Sequence, residues 1–282
     1  MVSRFCVVLL LLGLNTPTGN AAPSAELWER WTAHDPSSTK TIDHDAWARF
    51  LKTHLRASPD GVNRIAYAEV GDADKKLLAG YIAALEATPI SRYRRNEQFA
   101  YWINLYNAAT VKIVLDHYPL QSILDIKSFP LGFHVFAPGP WGIKFINVSG
   151  EKLSLDDIEH RILRPIWRDP RIHYAVNCAS VSCPNLRGEP YLAAKVDAQL
   201  TLAARDYVNH ERGVLLNGGR LVVSSIYKWY KADFNDSDAG VIEHLRQFAK
   251  PELTSALASV RRIADDRYDW ALNDARRAPN PQ

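Results

Sequence analysis

The sequence predicts an α+β protein in which a central buried helix packs on a small, mainly antiparallel sheet, with an N-terminal helical extension. Three observations predict it. Residues 95–117 are apolar around most of a helical girth, helix-period segments outnumber strand candidates, and those candidates are short, clustered and divided by turn residues. The 282-residue chain is 47% hydrophobic and 23% charged, which supports a buried core and excludes collagen-like and disordered classes. With 34 Lys+Arg against 31 Asp+Glu the formal charge is +3, too small an excess for a phosphate-binding stripe, so no nucleic-acid partner is expected.

In chain order, Arg4 precedes an apolar run over 6–14, and small residues follow at Gly19, Ala21 and Ala22. That run falls far short of the roughly 20 residues that span a bilayer. Residues 1–21 are therefore read as a signal peptide, which implies a secreted or periplasmic protein with no stable membrane span after its removal. Residues 22–90 form an N-terminal helical region: helices are expected over 24–34 and 43–56, a strand over 62–67 after the Pro59-Asp60-Gly61 turn, and a helix over 72–87 that stops before Pro89. Residues 91–236 form the core domain. It opens with the 95–117 helix and continues with strands near 133–136 and 143–148, then a helix to about Leu163 opened by a Ser154/Asp157 capping box. A strand over 172–178, a helix over 195–210 and a hairpin around Asn217-Gly218-Gly219 follow. Helices over 226–234, 239–248 and 252–260 come next, and residues 237–282 are C-terminal helices and tail packed on the core.

Four ordered blocks carry a recognisable pattern: NEQFAYWINLYNA at 96–108, LDDIEH at 155–160, HYAVNCASVSCP at 173–184 and SSIYKWYKADF at 224–234, followed by the tail YDWALN at 268–273. The sequence resembles the domain-of-unknown-function 547 family over about 95–235 plus that tail. The resemblance implies no activity, since the family is defined without one.

The candidate site residues come from these blocks. In a strand over 172–178, His173 and Asn177 share one side, so His173 is read as the proton carrier and Asn177 as an oxyanion or orienting group. Glu97, Asn104 and Asn107 share a face of the central helix. Glu97 is the acidic partner proposed for His173, and the two asparagines are either binding groups or bonds to buried loop backbone. Cys178 and Cys183 admit three states: a disulfide, which export and proximity favour, a nucleophilic thiolate, or a zinc site shared with a histidine. His134 is a further candidate near the cleft. Trp229 and Asp233 belong to an aromatic face closed by one carboxylate, where Asp233 either packs structurally or orients a histidine. The tail at 268–270 is expected to tie back onto the body.

No phosphate loop, dinucleotide fingerprint, paired-His metal helix or nucleophile-elbow serine occurs, so cofactor-dependent redox chemistry and nucleotide hydrolysis are not expected and no cofactor is assigned. The resulting expectation is a hydrolase or acyl-transferase-like enzyme acting on a small molecule, peptide or glycan. The alternative is a periplasmic binding module in which Trp28, Trp31 and Trp47 form a partner surface.

Overall fold

The computed structural model describes residues 23–127 and 139–277. The signal segment 1–21 and the strand candidate 133–136 with His134 lie outside the described residues.

The N-terminal region is less helical than its pattern. Of 24–34 only Glu29–Thr32 coils, as a 3-10 turn. The backbone before it is captured from elsewhere: Glu26 N–H donates to the His160 carbonyl at 2.9 Å and Trp28 N–H to that of Arg161 at 3.0 Å. Helix α1 (Asp45–His54) buries Trp47, Phe50 and Leu51, and its end runs into the β1 (Leu55–Ala57) and β2 (Asn63–Ile65) ladder. The expected tryptophan surface does not exist, because Trp31 and Trp47 are core residues. Trp31 meets Trp102 edge-on and Trp47 stacks on Phe50.

Helix α2 (Asp72–Glu86) starts with Asp72 and Asp74 at the positive end of its dipole and buries Leu78, Tyr81, Ile82 and Leu85 on one face. Helix α3 (Arg95–His117) is buried without a break from Glu97 to Val111, as its all-round apolar girth requires. It stops at Tyr118-Pro119, where the proline disfavours helical backbone in the preceding residue. The Ser154/Asp157 box forms reciprocally, with Ser154 N–H donating to the Asp157 carboxylate at 2.9 Å and Asp157 N–H to Ser154 Oγ at 3.1 Å. The helix it opens is π-wound over Asp157–Leu163 and tightens into α4 (Arg164–Trp167).

The fold is α+β, but helices surround α3 where a single sheet was expected: α2, the π-wound segment and α5 (Val196–Val208) pack on it. The described strands form three separate ladders. Strand β3 (Ile146–Val148) pairs antiparallel with β4 (Glu151–Leu153), and β5 (Val214–Asn217) with β6 (Arg220–Ser224). The β5–β6 turn has φ of +55° at Gly218 and +78° at Gly219, the geometry of a type I′ hairpin. Strand β7 (Asp265–Arg267) adds to β6 in parallel; its three charged residues carry no apolar alternation, and the sequence reading missed it. After the hairpin come α6 (Ile226–Trp229), α7 (Asp238–Phe248) and α8 (Pro251–Leu257).

Two apolar clusters meet at α5. Val196 and Leu200 belong to the larger one built on α3, whereas Ala203, Ala204, Tyr207 and Val208 belong to a second with the hairpin, α7 and α8. The segment 172–175 crosses the same seam, giving Ile172 and Ala175 to the first cluster and Tyr174 to the second. This crossing places the candidate site.

Candidate functional site

The expected strand over 172–178 is not formed. Pro170–Tyr174 is a 3-10 turn, started by Pro170 and by the Asp169 carboxylate, which accepts from Arg171 N–H at 2.9 Å. Beyond it the backbone is taken by a side chain. Asn107 on α3 donates to the Ala175 carbonyl at 2.9 Å and accepts Asn177 N–H at 2.8 Å, the two bonds a neighbouring strand would otherwise make. The period-two argument that paired His173 with Asn177 therefore fails, and the two residues serve different clusters.

His173, 3% exposed, lies between two carboxylates. Its Nε2–H donates to Asp233 Oδ2 at 2.7 Å and its Nδ1 is 3.6 Å from Glu159 Oε1. Arg164 closes on Asp233 from the other side with a two-pronged bond, Nε to Oδ2 at 2.6 Å and Nη2 to Oδ1 at 3.1 Å. Tyr230 lies flat on the imidazole, 4.1 Å between ring centres. Burial opposes the charge on His173, yet the bonds to Asp233 and Glu159 outweigh it and raise its pKa. Burial likewise opposes the charge on Glu159, but His160, His173 and Arg164 together bring it down to about 2. Both ring nitrogens face carboxylates, an arrangement that favours the charged form of the imidazole. Asp233 does orient the histidine, one of the roles open to it in the sequence. Glu97 does not. It sits about 15 Å along the α3 axis from Asn107, accepts the Ile42 backbone N–H, and is raised by burial. Glu159, His160 and Arg164, which the sequence did not single out for this site, are all buried around it.

The second cluster is built on the thiol loop. Asn177 Oδ1 accepts Ala179 N–H at 2.9 Å and Asn177 Nδ2 donates to the Pro184 carbonyl at 2.7 Å, so the amide orients its own loop. Ala179 is held at φ +60°, a left-handed conformation costly for a residue with a Cβ. The tail fixes it there. Asn273 N–H donates to the Ala179 carbonyl at 3.0 Å, Val181 N–H to Ala271 at 2.8 Å and Ser182 N–H to Asp269 at 3.1 Å. The tail tie expected from the sequence thus runs along the thiol loop.

The disulfide expected between Cys178 and Cys183 is not formed; both are free thiols. The loop instead turns Cys183 Sγ back onto Cys178 N–H at 2.9 Å. The half-buried Cys178 Sγ has the Ser180 hydroxyl at 3.3 Å and the Tyr268 hydroxyl at 3.1 Å, and the Cys183 thiol also bonds it. Burial pushes a thiol up, but these three partners overcome it and bring Cys178 down to about 7. Cys183, 4% exposed, is pushed up by burial and by Cys178 beside it. Trp229 lines the same place, packed on Tyr268 at 4.7 Å and on Trp270 at 5.4 Å between ring centres. Tyr230 joins the clusters: it stacks on His173 and feels the charge of Cys178.

Asn104 lies elsewhere, bonding the backbone of Tyr191 in both directions at 2.8 and 2.9 Å. Among the described residues no group of three or more His, Cys, Asp and Glu side chains is arranged to hold a metal ion, and no described helix is long and apolar enough to cross a membrane. Tyr268 and Ser180 are the partners of Cys178 that sequence reasoning missed. The tyrosine's place in a tail motif was visible, but its approach to Cys178 across 90 residues was not.

Residues 90–208 match the family described as "Protein of unknown function, DUF547". The domain family is thus supported for that stretch, which runs from the turn before α3 to the end of α5 and takes in the α3, 155–164 and 173–184 blocks. The 224–234 block and the tail lie beyond it, so Asp233, Tyr230, Trp229 and Tyr268 complete the site from outside the matched domain. Searches of the curated proteins and of the solved structures give no match.

Proposed function

We propose that this is an exported hydrolase or acyl transferase whose nucleophile is the Cys178 thiolate. One observation carries the reading: two hydroxyls and a second thiol converge on a half-buried sulfur whose loop is locked on both sides, which is how a thiolate is stabilised at neutral pH. In the reaction the sulfur attacks the carbonyl carbon of an ester, thioester or amide. The leaving group takes a proton from solvent water passed through the Tyr268 and Ser180 hydroxyls, and water or an acceptor hydroxyl then attacks the acyl-thioester, releasing the Cys178 thiolate and returning its own proton to solvent. His173 is a positioning residue here. Its Nε2 is taken by Asp233 at 2.7 Å and its ring stacks on Tyr230, so it holds those two residues in place and is not aimed at the sulfur.

The aromatic wall of Trp229, Trp270 and Trp141 supports a second reading, a binding module for the apolar face of a glycan or peptide. Alkylation by iodoacetamide across pH separates the two. A midpoint near 7, lost in Cys178→Ser, together with an acyl adduct on Cys178 from an activated thioester, supports the enzyme. A midpoint at the ordinary thiol value of about 8.5 with no adduct refutes it. Glycan binding that survives Cys178→Ser then favours the module.

A further inference from the structure

We propose that Cys178 and Cys183 also form a thiol–disulfide exchange pair, with Cys178 attacking a disulfide-bearing substrate and Cys183 resolving the mixed disulfide. This rests on Cys178 being a reactive nucleophile, as above, and adds a second electrophile, sulfur in place of acyl carbon.

The geometry is that of an attacking and a resolving thiol. Cys178 N–H donates to Cys183 Sγ at 2.9 Å, which folds the second thiol back onto the first cysteine. Cys178 is half-buried and reachable, whereas Cys183 is 4% exposed and meets an incoming disulfide only through Cys178. Their acidities divide the same way, the half-buried thiol lowered and the buried one raised. Exchange chemistry needs this order, a thiolate at the surface and a protonated thiol in reserve. The backbone between them is already set by the Asn177 amide and the tail bonds at Ala179, Val181 and Ser182. Buried Arg212 also braces the loop, bonding the Val181 carbonyl at 3.1 Å and lying over the Tyr207 ring.

The steps balance. The Cys178 thiolate attacks one sulfur of R–S–S–R′, forming Cys178–S–S–R and releasing R′–S⁻, which takes the proton of Cys183. The Cys183 thiolate then attacks the Cys178 sulfur, forming the Cys178–Cys183 disulfide and releasing R–S⁻. The substrate gains two electrons and the protein loses two.

The test uses the full reduced chain with Cys6 replaced by Ser in every sample, wild type included, so that Cys178 and Cys183 are its two thiols, and oxidised glutathione, read by intact mass after thiol alkylation. The expected result is that wild type loses both alkylatable thiols together, with no retained glutathione, and recovers them with dithiothreitol. Cys183→Ser should stop at a one-to-one glutathione adduct on Cys178, and Cys178→Ser should form none. A wild-type chain that keeps a stable adduct on Cys178 with Cys183 still free overturns the exchange pair while leaving the nucleophile standing. A wild-type chain whose thiols resist both glutathione and iodoacetamide overturns this proposal and the acyl-transfer reading together. The wild-type mass needs no variant to fold.

Discussion

Replacing Asp233 with Ala removes the one carboxylate shared by His173 at 2.7 Å and Arg164 at 2.6 and 3.1 Å. The Arg164 guanidinium, 6% exposed, and the His173 ring, 3% exposed, are left buried without it. Removing one member of a buried ion pair costs about 3–5 kcal/mol, because the charge left behind has lost both water and partner. For a chain of this size that corresponds to a fall in melting temperature on the order of 10 °C. The assay is thermal unfolding at pH 7 followed by circular dichroism, for wild type, Asp233→Ala, His173→Gln and the double variant. Since His173 is destabilising only once its counter-charge is gone, the double variant should be less damaged than the sum of the singles, by roughly 1–3 kcal/mol. A loss below about 1 kcal/mol for Asp233→Ala, in the range of exposed pairs, refutes the reasoning and returns His173 to the role of a neutral proton carrier.

The same network sets a pH dependence. The raised His173 contributes stability fully below its unfolded value near 6.5 and loses it as pH rises through its higher folded value, so the stability gap between wild type and His173→Gln should shrink toward alkaline pH. The lowered Glu159 acts oppositely, its contribution present above about pH 4.3 and lost as pH falls toward about 2. Guanidinium titrations of both chains from pH 4.5 to 9 check the first limb, and a constant gap sinks it. Tyr268→Phe removes a hydroxyl 3.1 Å from Cys178 Sγ; iodoacetamide alkylation at pH 7 should slow about 3- to 10-fold and its midpoint should move up, one unit being tenfold in thiolate. Asn107→Ala leaves Asn177 N–H and the Ala175 carbonyl buried without a partner, and denaturant unfolding should register a loss of about 2–4 kcal/mol.

The sequence by itself determined the elements whose signals are local. Apolar periodicity placed α2 and α3, reciprocal Ser154 and Asp157 placed the start of the π-wound segment, and paired glycines placed the β5–β6 hairpin. It also drew attention to His173, Cys178, Cys183 and Asp233 as residue types able to carry charge or attack. What those residues touch was decided by tertiary structure. Alternation made 172–178 look like a strand, but Asn107 from α3 took the backbone bonds a neighbouring strand would have made. Two tryptophans that read as a surface were drawn inside by Trp102 and Phe50. Glu97 shares a helix face with Asn107 but lies too far along its axis to meet the same partners, so Glu159 and Asp233 became the carboxylates of His173. Tyr268 reached Cys178 because the tail bonds run along the thiol loop. Periodicity assigns a side chain to a face of its own element; which other element arrives at that face depends on chain closure over tens of residues, and no local pattern encodes it.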